Sequence, residues 1–360
     1  MAQIDAFFKL MNDHGASDLH LMAGQQPVLR IQGDLERVKY NVLNSDTLKS
    51  MIYEIAPEYK IKMFEETGDV DFGYEIPGLA RYRANFFQQR NGVGAVFREI
   101  PSTILSCDEL GLPPVIKRLA TLPRGLVLVT GPTGTGKSTT LAAIIDEANR
   151  NRKEHIITIE DPIEFVHKSA KAVVNQREVG LHTKSFSAAL RGALREDPDI
   201  ILVGEMRDME TIGLAIEASA TGHLVFSTLH TTNAPKTVDR IIEVFPTAQQ
   251  EQVRSTLADG LRAVVAQNLF KRIDKVGRVA ALEIMIANPA VRNLIREGKT
   301  FQIPSMIQTG KKYGMQTLDD AIMALLKRRI ISADDAYLKS NEKSKFLQFL
   351  KKPPTDFTEV

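Results

Sequence analysis

The run Gly131, Pro132, Thr133, Gly134, Thr135, Gly136, Lys137, Ser138, Thr139 constrains this chain more than any other stretch of it. It follows an apolar segment, 125–130, and opens a segment with helical apolar spacing, 136–149. A strand, a tight glycine loop and a helix must therefore succeed one another. Glycines let the backbone curl until its N–H groups converge, and the following helix turns its positive dipole end toward the same point. A loop of this GxxxxGK[ST] form cradles nucleotide phosphates: Lys137 is expected to reach the β- and γ-phosphates of ATP, and the Ser138 hydroxyl to ligate Mg²⁺. A glycine-rich turn that binds nothing is the competing reading, and the flanking strand and helix oppose it.

After this loop the chain alternates strand and helix. Strands are expected over 155–159, 172–175, 200–203 and 223–228, with helices over 186–195 and 209–221. Such alternation predicts an α/β unit with a parallel sheet covered on both faces. Its strands should end in polar groups on the side where ligands bind in such sheets. The strand 200–203 ends in Gly204 and Glu205 rather than an Asp-Glu pair, so Glu205 is the candidate for orienting or activating water, and magnesium should depend more on Ser138, phosphate oxygens and water. Glu164, after the strand 155–159, and His230, after 223–228, are candidates for polarising water and sensing the γ-phosphate. His223 starts that strand and should lie at the opposite end of the sheet or be turned inward, as a structural histidine or as a catalytic one. From Pro235 to Lys351 the sequence reads as largely helical, and Lys351, Lys352, Pro353 and Pro354 with the polar remainder read as a loose tail.

Residues 1–100 read as an α+β domain with helical spacing over 45–63 and strands over 69–76, 79–89 and 93–100. Asn91 and Gly92 suit a type I′ hairpin turn, which would set Arg90 against Val93 and Asn85 against Arg98. Arg81, Arg83 and Arg98 would then share one cationic face, as diagonal neighbours roughly 7–8 Å apart. They would repel unless an anion or carboxylate sat between them; an ordinary solvated strand face is the alternative. Residues 101–123, with Pro101, Gly111, Pro113, Pro114 and Pro123, form the expected linker, and 124–360 the second domain.

Composition narrows the partners. The 46 Lys plus Arg against 44 Asp plus Glu leave a net charge of +2, too small to make nucleic acid or an anionic membrane the default ligand. One cysteine, Cys107, excludes an intramolecular disulfide and a multi-thiolate zinc site, and suits a reducing compartment such as the cytoplasm. The longest apolar runs fall far short of the roughly 18 residues of a membrane span, so membrane association is expected to go through a protein partner.

The loop GPTGTGKST, the acidic segment IEDPIEF, the strand DPDIILVGEMRD and the histidine segment TGHLVFSTLHT, in this order, resemble the secretion ATPase superfamily of type II secretion and type IV pili. The opening GASDLHL and the segment from Ala290 to Ile295, AVRNLI, are similar to its pilus retraction branch, where the latter usually reads AIRNLI. Branches for pilus extension and secretion typically carry a longer N-terminal region and a four-cysteine zinc insertion, which one cysteine cannot make.

This resemblance implies a PAS-like N-terminal domain, a RecA-like P-loop ATPase domain with a helical C-terminal part, and a cytoplasmic ring homohexamer hydrolysing ATP to retract a pilus. It also implies an inner-membrane platform protein as partner, with the ring peripheral to that membrane. Arg83 and Arg98 match the positions from which N-terminal arginines of these motors approach the γ-phosphate. Pilus extension or type II secretion is the alternative function within the class. A nucleic-acid translocase is the alternative outside it, with Lys327, Arg328 and Arg329 its best support and the near-neutral charge against it.

Overall fold

Strict alternation writes one face of a sheet into the segment Ala80–Gln89: Ala80, Tyr82, Ala84 and Phe86 are buried, while Arg81, Arg83 and Asn85 between them are partly exposed. In the computed structural model, which describes residues 3–31, 33–100 and 103–351, this segment lies in a six-stranded antiparallel sheet. Its strands are β1 (Asp18–Met22), β2 (Val28–Ile31), β3 (Asp34–Arg37), β4 (Asp69–Ile76), β5 (Ala80–Gln89) and β6 (Gly92–Ile100). They lie in the order β3-β2-β1-β6-β5-β4. Helices Asp5–Asp13, Ser45–Tyr53 and Glu58–Thr67 supply Phe8, Leu48 and Phe64 to the same core. Phe8 stacks 4.3 Å from Tyr82 and meets Phe97 edge-on at 4.9 Å, centroid to centroid. Each such aromatic adds about 1.5–3 kcal/mol by leaving water.

The β5–β6 hairpin differs from its expected register. Gln89 pairs with Gly92, so Arg90 and Asn91 form the turn. Only Gly92 among these three has positive φ, at 117°, and the two central left-handed residues of a type I′ turn are not there. The shift is by two residues, which preserves every face. Arg83 and Arg98 therefore still share a side, but as direct cross-strand partners rather than diagonal ones. The helical reading of 45–63 also resolves into two helices, because Pro57 supplies the extended residue that starts the second.

Contact density divides the chain into two units, Met1–Thr103 with Asp161–Val166, and Ile104–Glu160 with His167–Val360. The larger unit holds β7 (Gly125–Thr130), β8 (His155–Glu160), β9 (Val173–Glu178), β10 (Ile200–Val203), β11 (Leu224–Leu229), β12 (Leu261–Lys271) and β13 (Arg278–Ile286). Their order is β13-β12-β7-β11-β10-β8-β9, parallel except for β13. Both faces of the central strands are buried. Leu126 and Leu128 face a core shared with helices Phe186–Ala193, Met209–Thr221, Ala234–Glu243 and Thr247–Gly260; Val127 and Val129 face one shared with helices Lys137–Asn151 and Pro114–Leu119. Double burial is why these strands read as unbroken apolar runs.

The expectation of a largely helical stretch from Pro235 onward is wrong over Leu261–Lys271 and Arg278–Ile286, a long hairpin that extends the sheet beside β7. Burial on both faces gives this hairpin continuous apolar runs, and runs of that kind do not distinguish strand from buried helix. The expected tail at 352–354 and Pro101 of the expected linker lie outside the described residues.

His167, where the chain re-enters the larger unit, is 8% exposed. Its backbone N–H donates to Gln176 Oε1 at 2.7 Å, and its Nδ1 is buried without a hydrogen-bond partner. Burial, opposed by Asp146, pushes its pKa down to about 4. The unfolded chain thus takes up a proton below about pH 6.5 that the folded one refuses, and stability falls as pH drops toward 4. From pH 7 to 5 this costs about 2 kcal/mol. Urea denaturation at both pH values should show His167→Gln losing less stability on acidification than the wild type; equal losses would mean that His167 is not held neutral.

Candidate nucleotide site

At the end of β7 the backbone turns through three glycines with positive φ: 141° at Gly131, 78° at Gly134 and 86° at Gly136. Only glycine adopts these values without strain. Gly136 caps helix Lys137–Asn151 with no side-chain acceptor, and no acidic residue stands in the first turn. The helix therefore offers its first N–H groups and its dipole to an anion. Pro132, Thr133, Gly134 and Ser138 are exposed, Gly136 and Thr139 partly so. Thr135 is buried, and its hydroxyl donates to the Pro132 carbonyl at 2.9 Å, which closes the loop on itself. Lys137 Nζ donates to the carbonyls of Gly131 at 2.8 Å and Pro132 at 3.1 Å, holding the ammonium across the mouth of the cradle.

A residue that sequence reading passed over fixes this loop from outside. Gln267, on β12 and 3% exposed, donates from Nε2 to the Thr135 carbonyl at 2.6 Å and accepts from the Thr140 hydroxyl at 2.8 Å. One amide thus ties the phosphate loop to the first turns of the helix. A Cβ on Gly131 would strike the Gln267 carbonyl, and one on Gly136 would come 2.9 Å from its Nε2, so the glycines are needed for this approach as well as for their dihedrals. The available signal was an amide inside the apolar run AVVAQNLF, since a buried polar side chain implies a partner.

The neighbouring strand ends are laced together. Thr228 Oγ1 donates to the Gly204 carbonyl at 2.6 Å, Gly204 N to Ile159 O at 2.8 Å, and Gly131 N to Leu229 O at 3.3 Å. Gly204 stands where a Cβ would press on Ile159 O at 3.2 Å, a close approach of β10 to β8. Glu205 follows it. One carboxylate oxygen lies 3.1 Å from His230 Nε2, and the other accepts from Arg207 at 2.7 Å. Burial would raise the Glu205 carboxyl, but Arg207, His230 and Lys137 together outweigh it and hold its pKa below the ordinary value. An ionised carboxylate of that kind is a weak proton acceptor and a good orienter of water. His223 lies at the far end, its carbonyl accepting from Gly125 N at 2.9 Å and its Nδ1 3.1 Å from Ala218 O.

The remaining candidates belong to the smaller unit. Arg83 lies 3.8 Å from Glu164 and donates to both Asp71 oxygens at 3.4 Å. Arg98 donates to Asp18 Oδ1 at 2.8 Å, and Asp18 is buried. Carboxylates thus flank the arginine pair, and Glu164 is grouped with Arg83 while Lys137, Glu205 and His230 lie in the other unit. Among the described residues no cluster of three or more His, Cys, Asp or Glu could hold a metal. The exposed Ser138 hydroxyl fits Mg²⁺, which keeps most of its waters and binds chiefly through phosphate oxygens.

Replacing Gln267 by Leu would leave the Thr135 carbonyl and Thr140 hydroxyl without their partner, at about 1–3 kcal/mol for each buried group. Fluorescent-ADP titration should show affinity reduced roughly tenfold or more, with the circular dichroism of the fold retained. Unchanged affinity would mean that the loop holds its shape without the amide.

Residues 14–335 match the family model described as type II/IV secretion system protein. The chain is 56% identical over 322 residues to the type IV pilus retraction ATPase PilT of Pseudomonas aeruginosa, covering 89% of this chain and 93% of that protein. It is 54% identical over 310 residues to a twitching motility protein of Neisseria gonorrhoeae, covering 86% and 83%. A crystal structure of the pilus retraction motor PilT with bound ADP superposes with a TM-score of 0.87 at 46% identity, covering 96% of this chain and 98% of that one. With the phosphate loop and the acidic strand ends arranged as above, the chain belongs to the type II/IV secretion system protein family.

Proposed function

We propose that this chain is an ATP-hydrolysing motor that powers type IV pilus retraction, and hence twitching motility, as a ring homohexamer of a PAS-like N-terminal domain (residues 1–100), a linker (101–123) and a RecA-like ATPase domain (124–360). The observation that carries this reading is the identity to pilus retraction ATPases over nearly the whole chain. No described helix is long and apolar enough to cross a membrane. In this reading the ring works at the cytoplasmic face of the inner membrane through a platform protein.

The chemistry follows from the cradle. Backbone N–H groups of 131–139 receive the phosphates, and the Lys137 ammonium exchanges the carbonyls of Gly131 and Pro132 for the β- and γ-phosphate oxygens, where its charge offsets that developing in the transition state. Mg²⁺, held by the Ser138 hydroxyl and the phosphates, supplies further neutralisation when bound. Glu205, fixed between Arg207 and His230, orients the attacking water, and His230 relays the presence of the γ-phosphate to that carboxylate. Glu164 assists by polarising the same water.

Arg83 and Arg98 sense the γ-phosphate by trading carboxylates for it. Arg83, whose contacts with Asp71 and Glu164 are 3.4–3.8 Å long, is the more readily recruited. Arg98 must leave a 2.8 Å contact with a buried aspartate. ATP therefore favours the state in which these charge-assisted contacts form, and hydrolysis removes them. Movement of the N-terminal domain, passed around the ring to the platform protein, then releases pilin subunits from the fibre base.

Mg²⁺-dependent ATP hydrolysis measured beside size-exclusion light scattering tests this reading. Glu205→Ala should lose about 10²–10⁴-fold in turnover while the hexamer persists, and Arg83→Ala should lose at least about tenfold. Wild-type turnover in Glu205→Ala would transfer the water to Glu164, and wild-type turnover in Arg83→Ala would remove its role as sensor.

A further inference from the structure

At the end of the parallel sheet opposite the phosphate loop, three arginines from three separate elements converge. Arg124 immediately precedes β7, Arg262 is the second residue of β12, and Arg292 lies on helix Pro289–Arg296. The Arg262 side chain runs directly over Gly125, where any Cβ would strike it. Ala287 N donates to the Arg262 carbonyl at 2.8 Å, and Arg292 Nε donates to the Ala287 carbonyl at 2.8 Å. Arg262 is further fixed by donating to the carbonyls of Asp259 at 2.7 Å and Leu261 at 3.2 Å. The guanidiniums of Arg262 and Arg292 are positioned by backbone carbonyls rather than by carboxylates.

Counter-charge is short. Arg124 is exposed and makes no hydrogen bond or ion pair among the described residues, and Arg292 makes only its contact with Ala287. The carboxylate that acts on Arg262 is Asp259, and its Oδ1 already accepts from Arg296. Burial first, then repulsion from Arg292 and Arg124, lowers the Arg262 pKa. A fold does not gather like charges in this way without cost unless something anionic is to meet them.

We propose that Arg124, Arg262 and Arg292 form a docking site for an acidic segment of a protein partner. Guanidiniums match discrete carboxylates, which they bind in bidentate fashion, and two of the three, Arg262 and Arg292, are already oriented by carbonyls. A flat anionic membrane fits less well. The net charge of +2 gives little long-range attraction to it. The site goes beyond the motor reading and does not depend on it. It lies the length of β7 from the nucleotide cradle, roughly 16–20 Å at 3.3 Å per residue.

Fluorescence anisotropy of a labelled hexaglutamate peptide on the full chain, at low and moderate salt, tests the proposal. Arg124→Ser with Arg292→Ser should weaken peptide binding at least tenfold without changing ATP hydrolysis. Lys327→Ser with Arg328→Ser, which removes the same charge elsewhere, should bind like the wild type. Three results would overturn the site: no binding to the wild type, equal losses in the two double variants, or Arg124- and Arg292-dependent capture of phosphatidylglycerol vesicles in place of the peptide.

Discussion

The amide of Gln267 is the contact on which the shape of the phosphate loop depends. A phosphate loop built from glycines is by composition the least rigid part of a sheet, yet it must hold its N–H groups in one geometry to be of use. Gln267 supplies the rigidity from β12, donating to the loop at Thr135 and accepting from the helix at Thr140. The bond reaches across 132 residues of sequence. Stability of the C-terminal hairpin and order in the nucleotide cradle are therefore one property, because β12 pairs with β7 on the strand that delivers the loop.

Each unit carries its own set of paired charges. The larger unit carries the cradle, Lys137 and an ionised Glu205 held by Arg207 and His230. The smaller one carries a row across four adjacent strands: Asp18 on β1, Arg98 on β6, Arg83 on β5 and Asp71 on β4. Each arginine meets a carboxylate, Arg98 sharing Asp18 with Arg30, which lets two like charges oppose one another directly across the hairpin. The two pairings differ in length, 2.8 Å for Arg98 with Asp18 and 3.4 Å for Arg83 with Asp71.

What the sequence made legible was what it carried contiguously. The strand–loop–helix succession at 125–151, Glu205 at a strand end and the shared face of Arg83 and Arg98 could be read because each follows from adjacent residues or from the two-residue period of a strand. Gln267 could not, since its partners are fixed only once β12 lies against β7, and the hairpin carrying it reads as helix or strand alike while its runs are continuously apolar. Asp18 and Asp71 were hidden for the same reason: sheet order, not spacing, brings them to the arginines. The β5–β6 register lies two residues from the one a central Asn-Gly turn predicts, because Gly92 supplies its positive φ at the start of β6.

As proposed, this chain shortens pili rather than building them. The most direct measurement is fluorescence microscopy of labelled pili in living cells whose own retraction ATPase has been removed and replaced by this chain. Pili should extend and then shorten in cells carrying the intact chain. Pili that assemble normally but never shorten, in cells where the purified chain still hydrolyses ATP as a hexamer, would contradict it.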